Sequence, residues 1–395
     1  MREVAVLAEN SSSAVLKDYY DYIITGAGCA GLSLAVHMIN SGKFAEKKIL
    51  IIDKAEELAG DKTWCFWEKE RGDFEDIVYS QWQKLRLCDN NQVLDLDIRP
   101  YTYKMIRSVD YYQYCRALIY SQANFTLLYE NVEHIFSSEQ TTGIMIHGKA
   151  IHCSYIFNSI LFNRPILTGK QFWMLQHFKG WMIETEDPSF DSSMATLMDF
   201  RTGQQQGTTF YYVLPITATK ALIEYTVFST DLLENDQYVE KLRCYISNDL
   251  KIIRYKIISE EFGVIPMTNF RFTEIQNNII NIGTAGGQTK SSSGYTFSFI
   301  QKHSKLLVKE LIEKNRIVPT SPGRKYSFYD SVLLNVLYNK TYPGEKIFID
   351  LFKKNPPQKV LGFLDNESSA LEDLAIISTL PFAPFLKAAM QQIFT

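Results

Sequence analysis

The stretch that most narrows the folds open to this chain is residues 22–36, YIITGAGCAGLSLAV. An apolar run leads into three glycines, Gly26, Gly28 and Gly31, and then into an Ala/Leu-rich segment with helical character. That order predicts a strand, a tight turn and a helix. The first glycine permits the turn, the second lets the backbone approach a pyrophosphate, and the third lets helix and strand pack closely. The N-terminus of the helix then offers unpaired N–H groups and partial positive charge to an anion. A second apolar run, KKILIID, ends at Asp53, about 20 residues beyond the last glycine, where a carboxylate can accept from a ribose hydroxyl. Lys54 follows it as a further candidate for cofactor contact. Residues 20–54 are therefore read as one β-α-β unit for a dinucleotide.

A second glycine-rich stretch, IGTAGGQTKSSSGYTF at 282–297, selects among dinucleotides. A protein that holds FAD in an extended pose needs a late strand, loop and helix to receive the ribityl chain and isoalloxazine. Gly283, Gly286, Gly287 and Gly294 can present backbone amides to a flavin, and a helix beginning near Gly294 and Tyr295 would aim its positive end at the ring. Broader flavoprotein monooxygenases carry a Gly-Asp pair in this loop; here Thr284 stands in the acid's place. Arg107, in YKMIRSVD at the start of a predicted helix, fits a basic contact to the cofactor.

Between the two loops the pattern changes. From about Gln171 to Glu261, short alternating runs such as TTFYYVLPI and KALIEYTVFST are separated by Gly, Asp and polar turns, which predicts an antiparallel sheet. Residues 60–77 are charged, rich in tryptophan and without sustained periodicity, so they read as a long loop with a short helix. After Arg324 the pattern is mainly helical. The expected fold class is α/β: a Rossmann-like FAD-binding domain of the glutathione-reductase/hydroxylase type, discontinuous over 20–165 and 262–324. An antiparallel-sheet substrate domain is inserted at 166–261, a helical cap covers 325–395, and residues 1–19 form a leader.

Composition removes other classes. Lys and Arg number 41 against 44 Asp and Glu, a net charge of -3, which leaves no polycationic footprint and argues against nucleic acid. Six cysteines stand far apart with no C-x-x-C and no Cys/His cluster, so reduced thiols, a cytoplasmic location and no metal are expected. The first 18 residues lack the basic start and apolar core of a secretory signal. No stretch has the 18 or so apolar residues needed to span a bilayer. LAIISTLPFAPFL, Leu374 to Leu386, is uncharged and suits a membrane interface or a greasy tunnel lining as well as buried packing.

DKTWCFWE, FNSILFNRP, LQHFKGWMIETEDPSFD, LMDFRTGQQQGTTFYYVLP, ALIEYTVFS, EFGVIPMT and GTAGGQTKSSSGYTF occur in register between about residues 20 and 305. Together with the tail VLGFLDNESSALEDLAIISTLP they resemble the bacterial lycopene β-cyclases. The resemblance implies a redox-neutral isomerase of the intramolecular lyase type. It would protonate a terminal alkene of lycopene, close β-rings to give γ-carotene and then β-carotene, and require FAD in its reduced form with NAD(P)H as electron donor. Lycopene is drawn from lipid, so peripheral association with the inner face of the cytoplasmic membrane is expected.

Within that resemblance Glu224 in ALIEYTVFS is the candidate acid. On a strand it shares a face with Leu222, Thr226 and Phe228, and burial among apolar neighbours raises a carboxyl pKa. Its role is either to donate the proton or to stabilise the cation as a carboxylate while reduced FAD donates. The family often has a second acidic residue next; here that place is Tyr225, a candidate for the cation-lining wall. Asp199 and Arg201 are candidates for positioning Glu224 or the flavin, and Glu68 is a second acid candidate. Trp64, Phe66 and Trp67 are candidates to face the flavin or the cation, since ring faces attract positive charge. Two other readings fit the same loops: a flavin-dependent oxidoreductase of this architecture, such as an isoprenoid reductase or hydroxylase, and a non-catalytic nucleotide-binding module.

Overall fold

The computed structural model describes residues 16–55, 62–314, 316–318 and 324–394 of the chain. Its first sheet grows from the apolar runs beside the first glycine loop. Tyr19–Thr25 lies between Ile49–Asp53 and Lys149–Asn158, parallel to both. Phe125–Tyr129 and Ile279–Asn281 extend the sheet at either side, again in parallel. Strands covered on both faces read as unbroken apolar runs rather than alternations. Ile49 and Ile51 accordingly face one hydrophobic core while Leu50 and Ile52 face another. Helices Cys29–Ser41, Ser108–Tyr120 and Phe297–Lys314 cover the first face. The antiparallel strands His134–Ser137 and Thr142–Ile146 run on from Lys149–Asn158 and contribute to the core on the second.

The second sheet has seven strands in the order Tyr255–Thr268, Trp173–Thr185, Lys220–Ser229, Thr208–Pro215, Met194–Asp199, Lys84–Cys88, Val93–Asp97. Every neighbouring pair is antiparallel except Met194–Asp199 with Lys84–Cys88. The alternation of its strands separates two interiors. Tyr212, Leu214, Leu222 and Phe228 join the core shared with the C-terminal helices. Tyr211, Val213, Ile223 and Tyr225 form a separate core under helix Asn235–Cys244.

Three sequence expectations are revised by this architecture. The antiparallel sheet is not confined to 166–261: two of its strands come from 84–97, and its edge strand runs on to Thr268. Residues 63–68 form a strand, Thr63–Glu68, paired with Thr102–Arg107 in a small sheet that includes Ser80–Trp82. That strand shows no apolar alternation because both of its faces are covered. Trp64 and Phe66 pack near Phe297, while Cys65 and Trp67 pack on the opposite core. The helix after the second glycine loop begins at Phe297 rather than at 294–295. Of the expected leader, residues 1–15 lie outside the described residues, and Tyr19 already belongs to the first strand.

Beyond residue 324 the described chain is helical, in Arg324–Tyr338, Gly344–Lys354, Pro357–Leu364, Ala370–Ile377 and Phe382–Phe394. Leu334, Phe348, Phe352 and Leu361 close over Phe200, Phe210 and Phe228. Each such fully buried side chain is worth roughly 1.5–3 kcal/mol in transfer from water. This helical layer thereby holds one face of the seven-stranded sheet against the rest of the molecule.

Candidate active site

The two glycine loops, the small three-stranded sheet and the inner face of the seven-stranded sheet meet around a cavity of about 390 Å³. The first loop meets it end-on. Gly26 has φ +95°, and a Cβ there would lie 2.1 Å from Ser159 Oγ; a Cβ on Gly31 would lie 2.0 Å from the Gly26 carbonyl oxygen. At Gly28 nothing lies within 4 Å of the corresponding position, and the residue caps helix Cys29–Ser41 while lining the cavity. Gly28 is thus the point at which a ligand's phosphate can come against bare backbone. Asp53 Oδ2 accepts the Ala27 N–H at 2.6 Å, so this carboxylate braces the loop from behind; Lys54 is exposed and, like Asp53, does not line the cavity.

The second loop faces the first. Gly283 has φ +62°, and a Cβ on it would stand 2.7 Å from Ala30 Cβ, so a glycine there lets the two loops approach. Gly283, Thr284 and Gly294 line the cavity, whereas Gly286 and Gly287 turn toward Asn281 and Phe272. Two buried side-chain oxygens in the lining, Gln176 Oε1 and Ser293 Oγ, accept or donate no hydrogen bond within the chain. A buried polar atom left so costs about 1–3 kcal/mol, which the polar edge of a bound flavin would recover. The open Gly28, two helix N-termini at Cys29 and Phe297, and these two oxygens fit an FAD molecule.

The same cavity is lined by the aromatic side chains Trp64, Tyr103, Tyr112, Tyr212, Tyr295 and Phe297. Burial raises the phenol pKa of all four tyrosines and keeps them neutral. It also pushes the Cys29 thiol up to about 12, so the cysteine beside the first loop is not a nucleophile.

Glu224 is the acid of this lining. Strand Lys220–Ser229 places its buried carboxyl in the lining, where Thr226 Oγ1 donates to Oε1 at 2.6 Å. Burial pushes its pKa well above the ordinary carboxylate value, the neighbouring Glu261 pushes it further, and the Thr226 hydrogen bond offsets part of the rise. Glu261 did not emerge from the sequence as an acid. In the sheet, Glu224 and Glu261 both pair with Gly180 of the strand between them, one from each side. Paired residues share a face, so the missing side chain at Gly180 leaves room for two carboxyls to meet. Only the strand register carries that signal.

Other expected residues stand elsewhere. Tyr225 points to the opposite face, against Tyr211 and Tyr238, because it follows Glu224 by one residue on a strand. Asp199 and Arg201 are separated from the Glu224 strand by Thr208–Pro215 and do not line the cavity. They form an ion pair at 2.6 Å that Tyr245 completes; burial alone would raise the Asp199 pKa, but these hydrogen bonds hold it below the usual range. Glu68 is bound at 2.7 Å to buried Lys104, which also pairs with Glu75, and it is absent from the lining. Arg107 pairs with Asp110 at 2.6 Å, lies over Tyr79 and is absent from the cavity lining. Of the tryptophan motif, Trp64 reaches the cavity; Phe66 stacks behind it on Phe297, and Trp67 packs edge-on against Tyr295.

Comparison with known proteins places this architecture. The family model described as lycopene cyclase protein matches residues 21–390. A chloroplastic neoxanthin synthase from Solanum tuberosum is 24% identical over 410 residues, covering 92% of this chain and 78% of the relative. Among solved structures, a flavoprotein/dehydrogenase from Cytophaga hutchinsonii superposes with a TM-score of 0.62 at 13% identity, covering 95% of this chain and 99% of the other. A geranylgeranyl bacteriochlorophyll reductase-like protein from Thermoplasma acidophilum gives 0.55 at 13%, covering 95% and 96%. CtdE in complex with FAD and a substrate gives 0.57 at 11%, covering 94% and 99%. The fold is that of the flavoproteins, as the glycine loops predict.

The raised pKa of Glu224 has a consequence for folding that is independent of any reaction. The native state keeps a proton that the unfolded chain releases above the ordinary value of 4.5. Stability from this group is therefore full below that value and is lost as pH rises toward the native pKa, by up to about 1.4 kcal/mol per pH unit. Glu224→Gln should flatten the fall in unfolding free energy between about pH 5 and about pH 8, measured in urea titrations at several pH values.

Proposed function

The chain belongs to the lycopene cyclase family, and from that premise we propose that it is a lycopene β-cyclase, closing the ψ-ends of lycopene first to γ-carotene and then to β-carotene. The observation that carries this reading is a carboxyl group buried in an aromatic cavity between two glycine loops, where burial raises its pKa. Glu224 donates its proton to the terminal double bond of lycopene. The resulting cation is attacked by the neighbouring alkene, one C–C bond forms, and a proton leaves the new ring to give the ring double bond. One proton enters and one leaves, so no electrons pass to the carotenoid.

The lining suits a short-lived cation. Trp64, Tyr103, Tyr212, Tyr295 and Phe297 offer ring faces, each worth about 0.5–2 kcal/mol to a cation when water is excluded. Leu214, Leu222 and Phe178 supply the apolar surface that a hydrocarbon needs. The amides of the first loop at Gly28, the backbone at Gly283 and Gly294, and the side chains of Gln176 and Ser293 would hold FAD. In its reduced form, with NAD(P)H as the electron donor, FAD would supply an electron-rich ring to the reaction. The chain's own groups bind and orient it, keep water out and hold the proton at Glu224.

A hydrocarbon substrate reaches the site from lipid, and the C-terminal helices offer a surface for it. Leu371, Leu374, Phe382, Leu386, Met390 and Ile393 are exposed on Ala370–Ile377 and Phe382–Phe394, with Phe382 at 77% and Leu371 at 79%. No helix among the described residues is long and apolar enough to cross a membrane, so the reading is attachment of this face to the bilayer surface.

Four outcomes are expected. Gly28→Leu should fold but purify without yellow colour, because its side chain enters the space at the first loop; flavin fluorescence after denaturation measures the loss. Glu224→Gln should keep its flavin yet form β-rings at least about 10²-fold more slowly than the parent enzyme, in anaerobic assays of reduced protein with lycopene. In the parent, carotene should accumulate without net consumption of NAD(P)H; one equivalent of reductant spent per ring would instead mark an oxidoreductase. Finally, a double substitution Leu374→Asp and Phe382→Asp should abolish co-sedimentation with liposomes while leaving the circular dichroism spectrum unchanged.

A further inference from the structure

The lycopene cyclisation reading uses a single acid, Glu224, and leaves a second buried carboxyl beside it without a role. We propose that Glu261 is a positioning residue that shares one proton with Glu224 across Gly180, holding that proton on the pair until an alkene takes it. The inference rests on the cyclase reading for the reaction and on geometry for the pair itself.

The sheet builds the pair from three strands. Gly180 is paired with Glu224 on one side and with Glu261 on the other. A Cβ on Gly180 would lie 2.9 Å from both Cγ and Oε1 of Glu261 and 3.2 Å from Leu222 Cδ1, so the Glu261 side chain lies over the glycine. A threonine fixes the far side of each carboxyl. Thr226 Oγ1 donates to Glu224 Oε1 at 2.6 Å, and Thr63 Oγ1 donates to Glu261 Oε2 at 2.8 Å. The oxygens left over are Glu224 Oε2 and Glu261 Oε1, the second lying over Gly180, and the charge of Glu261 raises the Glu224 pKa. Thr63 opens the strand that also carries Trp64, so the pair is tied to the aromatic wall. Glu224 lines the cavity and Glu261 stands behind it.

Two carboxyls this close cannot both ionise without repulsion, so one keeps its proton. Other titratable groups facing the pair are Cys65 on the Thr63–Glu68 strand, Tyr212 on the neighbouring strand and Tyr295 beyond it, all neutral when protonated, with Lys62 in the cavity lining. No cation figures among the groups that shift Glu224. Loss of the proton to water would leave two carboxylates on either side of Gly180, repelling each other. Transfer to an alkene leaves the same two carboxylates against a new positive charge, which relieves their repulsion. The pair therefore withholds its proton from solvent and yields it to the reaction. The proton released from the finished ring restores the starting state, and the balance of atoms and electrons is unchanged.

The test combines Glu261→Gln, Glu261→Asp and Gly180→Ala in the flavin-loaded enzyme, with lycopene delivered in phosphatidylcholine vesicles. In the parent, the alkaline limb of the pH–rate profile reports loss of the Glu224 proton. Glu261→Gln removes the charge that retains it, so the limb should move to lower pH by about one unit or more, with kcat down about tenfold and KM little changed. Glu261→Asp should restore part of the shift. Gly180→Ala should move the limb in the same direction with both carboxyls intact, because its methyl group forces them apart. Infrared difference spectra of the carbonyl stretch, recorded without lycopene, read the same proton directly. The parent band should persist into the alkaline range, vanish in Glu224→Gln and titrate at lower pH in Glu261→Gln. A limb and a band that stay put in both Glu261→Gln and Gly180→Ala would overturn the proposal. A parent that shows the band but closes no ring would overturn the cyclase reading and leave the proton-sharing pair standing.

Discussion

The energetic centre of this structure is the burial of a carboxyl group where no cation compensates it. Glu224 stands in the cavity wall with a threonine hydroxyl and a second carboxyl as its polar company. An isolated carboxylate in such a place is penalised so strongly that the group keeps its proton instead. The buried ion pairs elsewhere in the molecule follow the opposite rule. Asp199 has Arg201 and Tyr245, Glu68 has Lys104, and Asp373 has Lys325. Each of those carboxylates has a cation within ion-pair distance. Glu224 has no cation among the groups that shift it, and it opens onto a cavity lined by rings and glycine loops.

That placement is made possible by the two-faced construction of the seven-stranded sheet. Odd and even positions of each strand go to different interiors, so Glu224 reaches the cavity while Ile223 and Tyr225 are committed to the core under Asn235–Cys244. A shift of register by one residue would exchange them. The C-terminal helices seal the inner face beyond the cavity through Phe348 and its neighbours. The first sheet contributes little chemistry of its own. Its parallel strands set the two glycine loops side by side, with Gly283 against Ala30, and both loops line the cavity that Glu224 reaches.

Much of this was legible in the chain itself because it rests on local rules. The Gly26–Gly28–Gly31 spacing identifies the turn, and each glycine meets the steric demand expected of it. Alternation in ALIEYTVFS places Glu224 with Leu222 and Thr226. What local pattern could not carry was pairing between distant strands. Glu261 sits in SEEFGVIPMT with another glutamate before it, and nothing in that run says which of the two meets residue 224. Glu260 pairs with Lys179 toward the other face, and only the register with Trp173–Thr185 separates their fates. The same gap explains Asp199 and Arg201: their spacing puts them near each other, but the strand order inserts Thr208–Pro215 between them and the acid. Thr63–Glu68 was missed because alternation marks a half-buried strand, and this one is covered on both sides.

The fold alone does not decide between electron transfer and proton transfer, since solved structures that share it at 11–13% identity include a flavoprotein/dehydrogenase and a reductase-like protein. On the proposed reading, what separates the two chemistries is the lining that Glu224 shares with the aromatic rings. Hydride transfer needs a substrate carbon presented to the flavin and gains nothing from a second buried carboxyl, whose like charge makes an acid harder to ionise. Protonating an alkene needs a proton kept from water, a surface that tolerates a cation, and a compensating charge that acts only after the proton has moved. In the proposed cyclisation Glu224, the aromatic rings and Glu261 would supply these in that order. In the proposed mechanism the glycine at position 180 matters as much as either acid, because a Cβ there would lie 2.9 Å from Oε1 of Glu261.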